Sequence, residues 1–163
     1  MRVALRRAQE AGRRGEVPVG AVGLLADGRM VSASNRVERG RDATLHAELL
    51  VLRRLASLQG GWRLIGATVV ATLEPCAMCA GAMVQARIAR CVYGARDPKK
   101  GADGSVYNVL QNPANNHRVE VHQGLLGDRS SRLLSDFFRR ARLHQGGPDL
   151  YGLRPSGARG QEP

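Results

Sequence analysis

The chain has 163 residues, the size of one ordinary domain, and 43% of them are hydrophobic, enough for a core that must be built from Val, Leu, Ala and Ile because aromatics are only 4%. The formal net charge of +11 favours a polyanionic partner, nucleic acid first among them, although charge speaks to association and not to fold. No apolar run approaches the roughly 20 residues of a membrane span, and charge interrupts the opening stretch too often for a signal peptide, so the expected compartment is the cytoplasm.

Residues 1–12 read as a short helix, with Val3, Ala4, Ala8 and Ala11 on its apolar side and Gly12 as its stop. Glu16 to Pro18 breaks it. Residues 19–26 form a continuous apolar run, a buried strand; Ala26-Asp27-Gly28-Arg29 signals a hairpin turn, and residues 30–33 are the returning strand. Residues 35–43 are polar and read as loop. The clearest helix covers residues 44–58, where Leu45, Leu49, Leu52, Leu55 and Ala56 repeat at helical spacing and Gly60-Gly61 ends it. A strand at 67–73, a helix at 76–87 with Pro75 suited to its first turn, and a strand at 88–93 follow. Residues 94–105 are a Gly- and charge-rich loop, 119–122 a short strand, and 130–143 an amphipathic, Arg-rich helix. Residues 145–163 are Gly/Pro-rich and read as a disordered tail, which leaves 1–144 as the domain. Strands alternating with helices imply an α/β layered domain, and the opening hairpin makes its sheet mixed, with helices on both faces.

The chemistry concentrates in Leu73-Glu74-Pro75-Cys76-Ala77-Met78-Cys79. Three cysteines in a chain this long need no disulfide staple, and in a reducing compartment a Cys pair reads as metal-binding or catalytic. Cys76 and Cys79 at a helix start put both sulfurs on one face of the first turn, where unpaired N–H groups favour the thiolate. Ala77-Met78 between them, in place of aromatic or proline residues, argues against a redox pair. Zinc takes about four ligands. His46, near the start of the long helix, is the best upstream candidate, and Glu48 can reach around the helix end into the same cleft. His46, Cys76 and Cys79 with an open position for water is the catalytic pattern, with Glu48 as proton shuttle; four protein ligands is the structural one. Cys91 is the candidate fourth ligand of such a closed site, but a single Cys in a strand usually serves as a small apolar residue. His117, His122 and His144 are weaker candidates.

His-Ala-Glu followed by Pro-Cys-x-x-Cys resembles the signature of the zinc-dependent nucleobase and nucleoside deaminases. Glu16-Val17-Pro18-Val19-Gly20-Ala21-Val22, residues 72–83, 93–105, 116–121 and 133–142 extend the resemblance to the bacterial tRNA adenosine deaminases over nearly the whole chain except the tail. The loop at 94–105 and the Asp-Phe-Phe-Arg-Arg helix are the discriminating pieces, since the zinc motif is shared with cytosine, guanine, cytidine and deoxycytidylate deaminases. The departures are a first helix that reads a few residues short and the extra tail.

The resemblance implies a three-layer α/β/α cytidine deaminase-like fold with a mixed central sheet of about five strands. It implies one Zn2+ per subunit on His46, Cys76 and Cys79, a homodimer, and an arginine tRNA anticodon loop whose wobble adenosine is converted to inosine with Glu48 moving the protons. It further implies that Asn35 hydrogen-bonds the purine, Val17 and Pro18 line the pocket, and Ala47 contributes its backbone beside the zinc. Asp97 and Lys99 then contact ribose and phosphate, and Phe137, Phe138, Arg139 and Arg142 meet the anticodon loop, in keeping with how RNA loops are read by aromatics and basic side chains. One of Phe137 and Phe138 belongs to the core, because adjacent helical positions do not both face the RNA. Two other readings keep the zinc: a free-base or nucleoside deaminase, disfavoured by the basic last helix, and a non-enzymatic RNA-binding module with a closed site.

Overall fold

The structure is a computed structural model that describes residues 1–143. The expected tail at 145–163, His144 and the end of the expected 1–144 domain lie outside the described residues.

Helix α1 (Arg2–Arg13) buries Ala4, Leu5, Ala8 and Ala11 as one apolar stripe. It lies against strand β1 (Gly20–Leu24) so closely that a Cβ at Gly20 would overlap the Ala4 carbonyl oxygen and sit 2.5 Å from the Ala8 nitrogen. Strand β2 (Met30–Ser34) returns antiparallel to β1, pairing Gly20 with Ser34 and Leu24 with Met30. The turn between them works as expected from Asp27-Gly28: Gly28 takes φ +90°, and the Asp27 carboxylate accepts the Arg29 N–H at 3.0 Å.

The expected loop at 35–43 contains one short helical turn, α2 (Val37–Gly40). The long helix α3 (Ala47–Gln59) starts three residues later than its apolar periodicity suggests, because His46 is extended (φ −67°, ψ 146°) and stands as the N-cap. Gly60 ends it in the left-handed region, φ +78°. α3 packs on the face of β1 opposite α1, where a Cβ at Gly23 would meet Val51 and Leu55.

Strand β3 (Thr68–Leu73) pairs antiparallel with β1 and parallel with β4 (Arg90–Ala95), and β5 (Glu120–His122) adds parallel to β4 at the far edge. The sheet order is β2-β1-β3-β4-β5. Helix α4 (Ala77–Gln85) connects β3 to β4 and packs beside α3. Helix α5 (Gly127–Leu143) begins three residues before its expected start and crosses β4 at Gly94, where a Cβ would overlap the Ser130 hydroxyl. α1 and α5 therefore cover one face of a mixed five-stranded sheet, and α3 and α4 the other. The main core lies under α3 and α4 and is built from Val, Leu and Ala with Met83, Ile88 and Tyr93, as the low aromatic content requires.

Candidate active site

The N-termini of α3 and α4 meet, and their N-cap residues are His46 and Cys76, both with extended backbone. Cys79 follows on the first turn of α4 and is fully buried. His46 Nδ1 stands 3.6 Å from Cys76 Sγ and 3.5 Å from Cys79 Sγ, and the three ligand atoms lie within 4.8 Å of one another. A tetrahedral ion bound at about 2.0–2.1 Å to nitrogen and about 2.3 Å to sulfur holds those atoms about 3.5 Å apart, so the trio fits zinc as it stands. The donor set, one imidazole and two thiols, is also that metal's.

The two sulfurs share one hydrogen bond. Cys76 is held down to about 4, first by the Cys79 thiol donating to it and then, against burial, by His46. Cys79 is pushed up by that shared hydrogen bond and by burial. Glu48, on the first turn of α3, is 3% exposed, and its Oε2 has no hydrogen-bond partner among the described residues. Burial raises its carboxyl to about 7. An unpartnered buried carboxylate oxygen is costly; this one lies in the cleft beside the three candidate ligands, free to accept a hydrogen bond.

The other candidate ligands are used elsewhere. Cys91 is buried in β4 among core residues, paired in register with Val69. His117 Nε2 is 2.7 Å from the Ile88 carbonyl, and His122 Nε2 is 2.7 Å from Glu120. Among the described residues the cluster that could hold a metal has three members, the number expected of an open site.

The cleft above the trio has a volume of about 850 Å³. Val17, Asn35, His46, Glu48, Cys76, Asp97, Lys99, Phe138 and Arg142 line it. Asn35 reaches it because its N–H bonds the Val19 carbonyl at 2.9 Å, extending the β1–β2 pairing by one step. Ser131, Leu134, Ser135, Phe138 and Arg142 form one stripe of α5 along the opposite wall.

Three expected site residues are placed differently, and a fourth, Ala47, is expected to contribute only its backbone. Pro18 is buried behind Val17, 3.4 Å from where a Cβ on Gly12 would sit. Ala47 is buried in the core and offers only its peptide at the start of α3. Phe137 does not line the cleft: its ring meets Phe138 edge-on at 5.4 Å, and of the two it is Phe138 that faces the opening. Arg139 turns along the helix to Asp136, 2.7 Å away. The physical reason for the last two is the helical period, which gives positions 137 and 139 to other faces than 138 and 142.

Two buried carboxylates that sequence reasoning left without a role organise the walls. Glu74, 1% exposed, accepts the backbone N–H groups of Asp97 (3.0 Å), Asp103 (2.9 Å) and Ser105 (3.3 Å), and the Ser105 hydroxyl. Burial alone would raise its carboxyl; the Ser105 hydroxyl and the three N–H groups outweigh it and hold the carboxyl below its ordinary range. Gly101 lies directly on this carboxylate, and any Cβ there would collide with it. Within the loop, Asp97 Oδ1 accepts the N–H groups of Lys99 and Lys100. Glu16, fully buried, accepts Glu38 N–H at 3.1 Å and Arg39 N–H at 2.9 Å, and touches Asn35 Nδ2 at 3.5 Å. The signal for both was an acid standing directly before a proline-containing apolar stretch, Pro-Cys after Glu74 and Val-Pro-Val after Glu16.

The family model for the cytidine and deoxycytidylate deaminase zinc-binding region matches residues 1–95. A tRNA-specific adenosine deaminase of Bacillus subtilis (strain 168) is 44% identical over 143 residues, 87% of this chain and 88% of the relative. One of Agrobacterium fabrum is 46% identical over 144 residues, 88% and 94% of the two chains. A solved structure from studies of A-to-I editing by tRNA:A34 deaminases at the wobble position of transfer RNA superposes with a TM-score of 0.78 at 44% identity, over 82% of this chain and 97% of that one. A guanine deaminase from Nitrosomonas europaea shares the fold at 23% identity, with a TM-score of 0.67 over 83% and 80%.

Proposed function

Because the chain belongs to the cytidine and deoxycytidylate deaminase zinc-binding family, and within it to the tRNA-specific adenosine deaminases, we propose a division of labour among its residues for that reaction. The protein hydrolyses the wobble adenosine of a tRNA anticodon to inosine, releasing ammonia. The observation that carries the assignment of roles is the unpartnered Glu48 oxygen beside the His46, Cys76 and Cys79 ligand atoms.

His46, Cys76 and Cys79 hold zinc, which when bound makes hydroxide available from water near neutral pH. Glu48 accepts the proton of the attacking water at Oε2 and delivers a proton to ring nitrogen N1. It then carries the second to the amino group on C6, which leaves as ammonia while the water oxygen becomes the inosine carbonyl. The N–H groups at the start of α4 support the charge that develops there. Asn35 hydrogen-bonds the purine and Val17 packs on it, with Pro18 fixing the backbone behind Val17 and the Ala47 peptide beside the ligands. Asp97 and Lys99 meet ribose and phosphate from the loop wall; Phe138 and Arg142 meet the anticodon loop from α5. The working unit is a homodimer acting on an arginine tRNA in the cytoplasm. The sequence resemblance supports that reading, the exposed Met78, Val106 and Tyr107 offer apolar surface to a second copy, and no described helix is long and apolar enough to cross a membrane.

The test is inosine formation in an anticodon stem-loop with adenosine at the wobble position, with free adenosine, guanine and cytosine alongside. Glu48→Gln is expected to lower kcat by about 10²–10⁴-fold while zinc stays bound. Ammonia from a free base with the RNA untouched would overturn the substrate, and full turnover by Glu48→Gln would overturn the role of Glu48.

A further inference from the structure

Beyond the cleft, on the other side of Asn35, lies a second recess of about 440 Å³ between α1, β2 and the start of α2. Arg7, Arg14, Arg36, Arg39 and Arg54 line it, with only Glu10 and Glu16 against them. Glu16 is spent on backbone N–H groups and Asn35, as described above. Glu10 lies 2.9 Å from Arg7 and 3.8 Å from Arg14. Arg36 and Arg39 have no carboxylate partner among the described residues.

The guanidinium groups are also held in place. Arg7 Nε donates to the Ser32 hydroxyl at 2.9 Å, Arg14 Nη2 to the Ser34 hydroxyl at 3.0 Å, and Arg54 to the Ser32 carbonyl. Those serines belong to β2, the outer strand of the sheet on this side, so Arg7 of α1, Arg14 just past its end and Arg54 of α3 are all fixed on one strand. Such forks, positively charged and only partly used, match the geometry of a phosphate group. The wall between recess and cleft is Asn35 itself, which lines both.

We infer that this arginine recess is a phosphate subsite that takes the RNA backbone next to the target nucleotide as the strand leaves the cleft past Asn35. The inference rests on the tRNA reading above. It adds a second basic wall to the one formed by Lys99, Lys100 and Arg142, from a part of the chain that the deaminase chemistry does not use. Recognition here is by phosphate and carries no base specificity.

The experiment measures the binding of the zinc-loaded protein to the anticodon stem-loop against salt concentration, together with kcat and KM for inosine formation. Arg14→Gln and Arg39→Gln remove one cation each at the recess; Arg63→Gln, whose guanidinium lies 4.2 Å over the Trp62 ring, removes one elsewhere. Each lost phosphate contact on a single strand lowers the slope of log K against log salt by about 0.7. The double variant Arg14→Gln/Arg39→Gln is expected to lose about 1.4 from the slope and to raise KM with kcat retained, and Arg63→Gln to change neither. Equal slopes and KM values in all proteins, with wild type still producing inosine, would overturn the subsite and leave the tRNA reading intact. Failure of wild type to act on the stem-loop would instead overturn that reading. A second arm adds inorganic pyrophosphate: thermal stabilisation lost in the double variant, without any change in RNA slope, would assign the recess to a free anion and overturn the RNA backbone.

Discussion

Glu74→Gln tests whether one carboxylate sets the wall that carries Asp97 and Lys99. The side chain receives four donors, two on each oxygen: Asp103 and Ser105 N–H on Oε1, Asp97 N–H and the Ser105 hydroxyl on Oε2. Glutamine keeps one acceptor and turns the other into a donor. The amide nitrogen belongs on the Oε2 side, because there the Ser105 hydroxyl can reverse and accept, whereas Oε1 faces two N–H groups that cannot. The Asp97 N–H is then the one group left without an acceptor, at a cost of about 1–3 kcal/mol. Since tenfold in affinity is about 1.4 kcal/mol, KM for the stem-loop is expected to rise about 5- to 140-fold with zinc content unchanged. Glu74→Ala strips all four donors. Their summed worth, at about 1.5–3 kcal/mol each, would rival the stability of a whole domain. The loop therefore detaches and rehydrates, which caps the loss of stability and appears as faster amide exchange at residues 97–105. A wild-type KM in Glu74→Gln, or unchanged exchange in Glu74→Ala, would refute this reasoning; loss of zinc would place Glu74 at the metal instead of the loop.

The remaining predictions address the open metal site, the loop's second acid and the helix–sheet contact. Cys91→Ser is expected to keep the zinc content of wild type and to lose about 1–3 kcal/mol in urea unfolding, because a hydroxyl replaces a thiol in the core without a partner; zinc loss would restore the closed site. Asp103 has its carboxyl raised by burial, against the hydrogen bond from the Tyr93 hydroxyl, 3.0 Å away. The folded state therefore binds this proton more tightly than the unfolded chain, and ionisation costs stability as pH rises through the folded value. Asp103→Asn is thus expected to raise Tm at pH 7, with the gain vanishing below about pH 3.9, the unfolded value; a lower Tm at pH 7 would contradict the sign. Gly20→Ala places a methyl group on the backbone of α1, while Gly23→Ala places one on the side-chain ends of Val51 and Leu55. Gly20→Ala is expected to cost more in Tm than Gly23→Ala, whose overpacking is worth about 1–3 kcal/mol, and the reverse order would mean that α1 yields more easily than the core.

Much of the fold was legible because it is written in local signals. Val19 onward and the Asp27-Gly28 turn dictate the hairpin, and the leucine spacing of α3 and the apolar run of β3 dictate their own periods. What was not legible depends on groups distant in sequence. α2 is a single turn whose Glu38 and Arg39 N–H groups are satisfied by Glu16, 22 and 23 positions away, so no local pattern announces it. The late start of α3 has a similar origin: apolar periodicity runs through Leu45, but His46 is held extended to face the cysteines, 3.6 Å and 3.5 Å away.

The same distinction separates the parts of the site. Zinc ligands are few in chemistry and rigid in geometry, so a Pro-Cys-x-x-Cys at a helix start and a His-Ala-Glu at another already specify a trio once the two N-termini meet. Contacts to RNA draw on residue types that any basic surface contains, and position decides among them: the period of α5 admits Phe138 and Arg142 to the cleft and turns Phe137 and Arg139 away. The other walls of the cleft are fixed by buried acids, not by the basic residues themselves. Glu16 holds the wall shared by the cleft and the arginine recess, and Glu74 ties the loop bearing Asp97 and Lys99 to the residue just before Pro75-Cys76. Only two peptide units separate Glu74 from Cys76, so a change at Glu74 is expected to loosen the proposed grip on RNA even when His46, Cys76 and Cys79 keep their places.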